Sequence, residues 1–127
     1  MRLLVDAHAL IWAVEDTSQL GPQAATALQD SANDLLVSAG TIWELSIKVG
    51  LGKLSLTMPF ADWMNKAIAD LGAAILPIKI EHADAQTQLL GRGDPFDRLL
   101  AAQSIVENLS IVSNDTGLDQ YGVQRLW

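Results

Sequence analysis

Short apolar runs alternate with helical patterns along the whole chain, and this alternation leaves few folds open. The apolar runs lie at 3–5, 35–37, 74–76 and 111–112, with a short fifth candidate at 123–126. Each is too short for a helix and suits a strand that is buried on both faces. Helical patterns at 7–15, 22–32, 42–49, 59–71, 81–90 and 94–107 lie between them. The sequence therefore predicts an α/β fold with a mostly parallel sheet of four or five strands.

The length of the chain, 127 residues, fits one domain, which we expect to span residues 1–127. The chain contains no cysteine, which excludes a disulfide framework, a thiolate metal site and a cysteine nucleophile. No apolar run approaches the roughly 18 residues of a membrane span. Asp6 also interrupts the N-terminal segment where a signal peptide stays apolar. We therefore expect a cytoplasmic protein with no membrane attachment.

The chain is acidic, with 15 Asp and Glu against 8 Lys and Arg and a formal net charge of −7. A basic module that binds phosphates directly is therefore not expected. An acidic chain can still act on a polyanion through a divalent cation. The two histidines, His8 and His82, are too few for a zinc site built of several histidines. No serine-nucleophile elbow and no phosphate-binding glycine loop is present.

Acidic residues follow two of the predicted strands, at the edge of a parallel sheet where sites usually form. Asp6 directly follows the first strand, and Asp115 follows the fourth. Either residue can cap the helix that comes after it. A carboxylate beside a dry strand is also costly unless a cation offsets its charge. Helix cap and cation ligand therefore both remain open for Asp6 and Asp115.

Two further acids lie near predicted helix starts. Glu44 follows Thr41 by three residues, which has the form of a capping box, although a cap at Ser38 would place Glu44 nearly two turns inside the helix. Asp94 has the position of an N-cap, and Asp97 lies in the first turn, where it can complement the helix dipole or reach the rim of the sheet. Structural and functional interpretations are both open for Glu44 and Asp97. Asp119, one turn beyond Asp115, is a weaker ligand candidate.

Cationic and aromatic side chains give less direct signals. The candidate phosphate contacts are Lys48, Arg92 and Arg98, although each could equally form a surface ion pair. The aromatic residues at helical spacing are Trp12, Trp43, Phe60 and Trp63. We interpret most of these aromatic residues as core or subunit-interface residues rather than base-stacking platforms, because aromatic side chains commonly anchor cores and interfaces.

Four segments, taken in this order, resemble the motifs of PIN (PilT N-terminus) domains. They are Leu3–Trp12, Ser38–Lys48, Asp94–Gln103 and Ile111–Asp115. Together they extend over nearly the whole chain, which makes the combination specific although each segment alone is weak. The Asp-Pro-Phe-Asp-Arg run at 94–98 is most similar to a subgroup of VapC-type ribonuclease toxins of type II toxin–antitoxin systems.

The resemblance implies a three-layer α/β/α sandwich with strand order 3-2-1-4-5. It also implies an endoribonuclease that depends on Mg²⁺ or Mn²⁺, cleaves RNA phosphodiester bonds and pairs with a cognate antitoxin, with the toxin itself forming a homodimer. By position, the catalytic and metal-ligating acids of the family fall on Asp6, Glu44, Asp97 and Asp115. We expect these four side chains to meet in space, with Asp6 and Asp97 as the principal ligands.

Crowded carboxylates raise one another's pKa, and hard divalent cations with oxygen ligands offset that repulsion. Two other functions remain open. One is a non-catalytic module of the same fold that only binds a partner. The other is an aspartyl-phosphate phosphohydrolase with Asp6 as nucleophile. His8 stands two residues after Asp6, where such enzymes carry a second acid, so this function ranks lower.

Overall fold

The computed structural model describes all residues from Met1 to Trp127, and its centre is one parallel sheet. The strands are β1 (Arg2–Val5), β2 (Asp34–Ser38), β3 (Ala74–Leu76), β4 (Ser110–Val112) and β5 (Arg125–Leu126). Their order is β3-β2-β1-β4-β5, and every neighbouring pair is parallel. The predicted strand order is confirmed, the short fifth strand is present, and the sheet predicted as mostly parallel is parallel throughout.

Helices surround the sheet. They are α1 (Ala7–Glu15), α2 (Pro22–Gln29), α3 (Ala39–Gly50), α4 (Phe60–Leu71), α5 (Ile80–Thr87) and α6 (Pro95–Glu107), with 3₁₀ helices at Thr17–Gln19 and Thr116–Tyr121. No helix is both long and apolar enough to cross a bilayer. The α/β fold predicted from the alternating pattern and the three-layer sandwich that the resemblance implied are both confirmed.

The central strand β1 divides the core in two, because its side chains alternate between the faces of the sheet. Leu3 and Val5 belong to the cluster that also contains side chains of α1, α2, α3 and α4. Leu4 points the other way and packs with Leu100 of α6 and Ile111 of β4. All three β1 side chains are fully buried. Burial on both faces explains why this strand is a continuous apolar run.

Several helix boundaries differ from the predicted ones. The helix predicted at 42–49 begins earlier, at Ala39, because the Ser38 hydroxyl accepts the Gly40 N–H at 3.0 Å. The helix predicted to reach residue 32 ends at Gln29, where Asp30 takes over and accepts the Ala32 N–H at 2.9 Å. The helix predicted to reach residue 90 ends at Thr87. Where α2 and α5 end early, side-chain hydrogen bonds to the backbone of the following loop replace the helical pattern: the Asp30 carboxylate accepts from Ala32, and Arg98 donates to the Leu89 and Gly91 carbonyls.

The helices that follow β1 and β2 begin at the carboxyl edge of the sheet, and α6 begins beside them. At Gly40 of α3, an added Cβ would overlap the Leu99 side chain of α6. Any larger residue there would force the Leu99 side chain to move, so glycine lets the two helices approach each other without that change. Because the helices are close here, Glu44 of α3 and Asp97 in the first turn of α6 face one cavity.

Candidate active site

The four acids singled out from the sequence line one cavity at the carboxyl edge of the sheet. Its volume is about 210 Å³. The lining residues are Asp6, Ala7, His8, Glu44, Lys48, Asp94, Asp97, Leu100 and Asp115. The acids come from four separate segments of the chain, and the parallel topology brings them together. The expected juxtaposition of Asp6 and Asp97 is therefore present.

Asp6 is both a helix cap and a wall of this cavity, so the two interpretations of this residue are compatible. Its Oδ1 accepts the Ala9 N–H at 2.9 Å. Only 6% of Asp6 is exposed, and this burial raises the pKa of its carboxyl above the ordinary value. Hydrogen bonds from the Ser113 hydroxyl and Ala9, together with nearby His8, oppose that rise. The fold thus orients a carboxylate whose charge is only partly compensated.

Asp97 carries the largest electrostatic cost in the cavity. Its pKa is raised to about 6, first by burial and then by repulsion from Asp115, Asp94, Glu44 and Asp6, in that order. The first turn of α6 is a favourable place for an acid because of the helix dipole. Repulsion and burial nevertheless outweigh that benefit. Asp97 therefore lies where an added cation would bring the greatest relief.

Glu44 and Asp115 each have one partner of their own. Lys48 Nζ lies 3.2 Å from Glu44 Oε2 on the next turn of α3. Asp115 Oδ1 accepts the Gly117 N–H at 2.8 Å, which confirms its expected capping role. The capping box with Thr41 is wrong, because Ser38 caps α3 and the buried Thr41 hydroxyl makes no hydrogen bond. Capping therefore does not explain why Glu44 faces the cavity.

The donor set fits a hard divalent cation. Asp94, which lines the cavity too, accepts the N–H groups of Phe96 and Asp97 at the start of α6. Lys48 is the only Lys or Arg in the cavity lining, against five carboxylates. No three His, Asp or Glu side chains are close enough together in this geometry to hold a metal ion among them. Mg²⁺ often takes only one or two protein carboxylates and keeps several waters, so a cavity lined by separate acids still suits it.

Ser113 lies beside the acids of the cavity and was not among the predicted site residues. Its hydroxyl accepts the Asp115 N–H at 3.0 Å and lies close enough to the Asp6 carboxyl to lower the pKa of that group, so it lies beside two of the acids. The Ser113 side chain is fully buried. Its position directly after β4, like that of Asp6 after β1, is the sequence signal that could have identified it.

Two candidate site residues, Arg98 and Asp119, bind partners outside the cavity. Arg98 is not free for phosphate or for a surface ion pair. Its Nε donates to Gln86 Oε1 at 2.7 Å, and its terminal nitrogens donate to the carbonyls of Gln86, Leu89 and Gly91. Arg98 instead anchors the loop between α5 and α6, which ends α5 early. Asp119 binds Arg125 at 3.0 Å and does not line the cavity.

Comparison with known proteins agrees with this arrangement of sheet and cavity. A model of the PIN domain matches residues 3–124. Ribonuclease VapC22 of Mycobacterium tuberculosis is 23% identical over 116 residues, which cover 91% of this chain and 88% of the relative. The parallel α/β sandwich with acids at its carboxyl edge is thus of the type that the motifs suggested. The chain belongs to the PIN domain family.

Solved structures share the fold over almost the full length. VapBC2 from Rickettsia felis, bound to a DNA fragment from the promoter, has a TM-score of 0.74 and 16% identity, with 100% of both chains covered. FitAcB from Neisseria gonorrhoeae has a TM-score of 0.66 and 20% identity, with 97% of this chain and 95% of that chain covered. At these identities the similarity establishes the fold.

Proposed function

We propose that this chain is an endoribonuclease that cleaves RNA phosphodiester bonds with Mg²⁺ or Mn²⁺, as the toxin of a toxin–antitoxin pair in the cytoplasm. The observation that carries the proposal is the cavity that Asp6, Glu44, Asp97 and Asp115 line together. The relative named as a ribonuclease supports the reaction class.

Asp6 and Asp97 are the residues that would hold the cation, and Glu44 and Asp115 would contact it directly or through water. A bound divalent cation supplies a Lewis acid that activates water and offsets charge on the phosphate. The chain contributes orientation: the Ala9 N–H fixes Asp6, and the Gly117 N–H fixes Asp115. The Lys48 ammonium group balances part of the negative charge beside Glu44.

The test is cleavage of total RNA with Mg²⁺, with Mn²⁺ and with EDTA, by the wild type and by Asp6→Asn and Asp97→Asn. We expect cleavage with either metal, none in EDTA, and a loss of about 100-fold or more in each variant, since metal chemistry supplies several kcal/mol of the rate enhancement. Asp62→Asn is the matched control, because Asp62 is an exposed acid of α4 outside the cavity.

The outcomes separate the proposal from its alternatives. Full cleavage by both cavity variants would overturn it. Turnover of phosphate monoesters without RNA cleavage would instead support an aspartyl-phosphate phosphohydrolase. Absence of both activities, with no measurable metal affinity, would support the non-catalytic binding module.

We also propose an antitoxin partner and a homodimer. Structures of VapBC2 and FitAcB among the relatives support the antitoxin.

The homodimer is supported by an exposed apolar stripe on and just after α3. The stripe consists of Trp43, Ile47 and Leu51, which follow one another at intervals of four residues. Sedimentation of the wild type and of Trp43→Lys measures the dimer, which we expect the substitution to weaken. A wild-type monomer at high micromolar concentration would rule the dimer out.

A further inference from the structure

Three aromatic rings form a row that begins at the wall of the acidic cavity. We call His8, Trp12 and Trp127 the aromatic row. The His8 ring is stacked on the Trp12 ring, with centroids 5.2 Å apart and planes inclined by 30°. The Trp12 and Trp127 centroids are 5.7 Å apart, with planes inclined by 58°. His8 also lines the cavity and is exposed to solvent, so one end of the row opens at the acids.

The row is held in place from both ends of the chain. His8 and Trp12 are four residues apart on α1, which brings their side chains together on one face. Trp127 follows β5, and its carbonyl accepts the Ala24 N–H at 3.0 Å. At Gly21, an added Cβ would overlap Trp127. The fold therefore fixes Trp127 against the segment that begins α2, and the two indoles are only partly buried there.

Electrostatics alone gives this chain little affinity for a polyanion. The net charge is −7, and Lys48, the only cation in the cavity lining, already faces Glu44. Binding of nucleic acid through phosphate contacts needs several such cations. Stacking of bases on aromatic side chains needs none, because every base has a π face, and it contributes about 1–3 kcal/mol per base.

We propose that the aromatic row is a stacking platform for the bases of single-stranded RNA, with the open face of His8 receiving the base next to the bond that is cleaved. This inference rests on the proposed function, because it takes RNA as the substrate of the acidic cavity. It assigns Trp12 to substrate binding, whereas the sequence favoured a core or interface role. Duplex RNA does not fit the inference, since its bases stack on each other and are not free to stack on His8.

The first experiment compares His8→Ala, His8→Phe and His8→Gln on a short single-stranded RNA and on the same RNA with an abasic residue beside the cleavage site. We expect His8→Ala to raise KM about tenfold on the intact RNA, within the range that 1–3 kcal/mol of stacking allows. Phe should restore KM to within about threefold, because it keeps the ring. On the abasic RNA all variants should have equal KM.

Two results of this experiment would overturn the inference. One is an unchanged KM in His8→Ala. The other is rescue by Gln and not by Phe, which would make His8 a polar contact. If the wild type cleaves RNA and either result is found, the stacking inference fails while the proposed function stands.

The second experiment needs no cleavage. Binding of the same RNA in EDTA is followed by tryptophan fluorescence in the wild type, His8→Ala and Trp127→Ala, with circular dichroism as a check of folding. We expect RNA to quench the wild-type fluorescence and both substitutions to lower the affinity for the RNA. The wild-type affinity should fall only slightly with added salt. RNA binding that neither substitution changes overturns the inference and leaves the row as a protein-docking surface. Quenching that depends on His8 in a chain that never cleaves RNA would preserve the stacking platform while refuting the nuclease.

Discussion

The two ends of α6 carry clusters of ionisable side chains that are built in opposite ways. At its start, Asp97 faces other carboxylates, and its pKa is raised to about 6. At its end, Glu107 Oε1 lies 2.9 Å from His82 Nε2 and 3.4 Å from Lys79 Nζ, and these contacts, led by the His82 hydrogen bond, lower the pKa of Glu107. One cluster collects like charges, and the other pairs a carboxylate with hydrogen-bond donors.

In the second cluster, which consists of Lys79, His82 and Glu107, the carboxylate faces both nitrogen groups. His82 is fully buried, and its Nδ1 accepts the Lys79 N–H at 3.0 Å, which leaves the proton on Nε2 for Glu107. This arrangement joins α5 to α6 and needs no further ligand. In the acidic cavity, by contrast, carboxylates repel one another, and the rest of the structure tolerates this repulsion. Unfavourable arrangements of this kind concentrate at functional sites. The contrast therefore assigns stability to one end of α6 and, under the proposed function, chemistry to the other.

Removal of the buried imidazole should have the largest effect on stability. We expect His82→Ala to lower the free energy of unfolding by about 3 kcal/mol, because it leaves a cavity and removes the partner of a backbone N–H. Urea unfolding measures the change. The cleavage rate of the folded variant should stay within about threefold of the wild type, since His82 does not line the acidic cavity. A loss below about 1 kcal/mol would contradict the structural role.

Added metal should stabilise the chain through the other cluster. By mass action, Mg²⁺ or Mn²⁺ at about 100 times its dissociation constant adds about 2.7 kcal/mol to the free energy of unfolding. Thermal unfolding with increasing metal measures the shift. Asp6→Asn and Asp97→Asn should reduce the shift, whereas Glu107→Gln should keep it. An identical shift in all these proteins would place the bound metal outside the cavity.

Without metal, Asp97 should destabilise the fold at neutral pH. The pKa of Asp97 is about 6 in the folded chain, against an ordinary value of 3.8, so its protonated form is favoured by folding. The resulting stability is fully present below pH 3.8 and is lost as the pH rises through about 6. We expect Asp97→Asn to be more stable than the wild type by about 1 kcal/mol at pH 7.5, after allowance for partial exposure.

The measurement for Asp97→Asn is urea unfolding in EDTA from pH 4 to pH 8. The difference between variant and wild type should grow across the window from about pH 4 to pH 6. Asp62 is an exposed acid outside the cavity, so the stability difference between Asp62→Asn and the wild type should not grow across this window. A variant less stable than the wild type at every pH would mean that Asp97 has a structural role.

The strands and the acids at their ends were the parts of the molecule that the sequence predicted best. The apolar runs place the strands, since a run such as Leu3, Leu4 and Val5 is too short for a helix and suits a strand that is buried on both faces. The strand ends place Asp6 and Asp115, and the parallel topology then brings Asp97 beside them. These parts of the fold and site follow from local patterns together with the rule for parallel sheets.

Sequence reasoning was weakest where competing hydrogen bonds decide. Ser38 and Thr41 are both good caps for α3, and only the length of β2 selects Ser38. Arg98 has the charge of a phosphate contact, yet three backbone carbonyls and Gln86 surround it. The aromatic row joins residues separated by over one hundred positions, so spacing along α1 could not reveal Trp127 as its third member.

The smallest expected effect is at Glu107, and its sign is opposite to that at Asp97. The pKa of Glu107 is lowered from its ordinary value of 4.5, first by the hydrogen bond from His82. The stability that this group adds is present above pH 4.5 and is lost as the pH falls through its folded pKa. Glu107→Gln should therefore be less stable than the wild type at pH 7 by urea unfolding, and the difference should shrink as the pH falls below 4.5. If the Asp97 and Glu107 variants shifted stability in the same direction at pH 7, the two ends of α6 would not differ in the way their charges indicate.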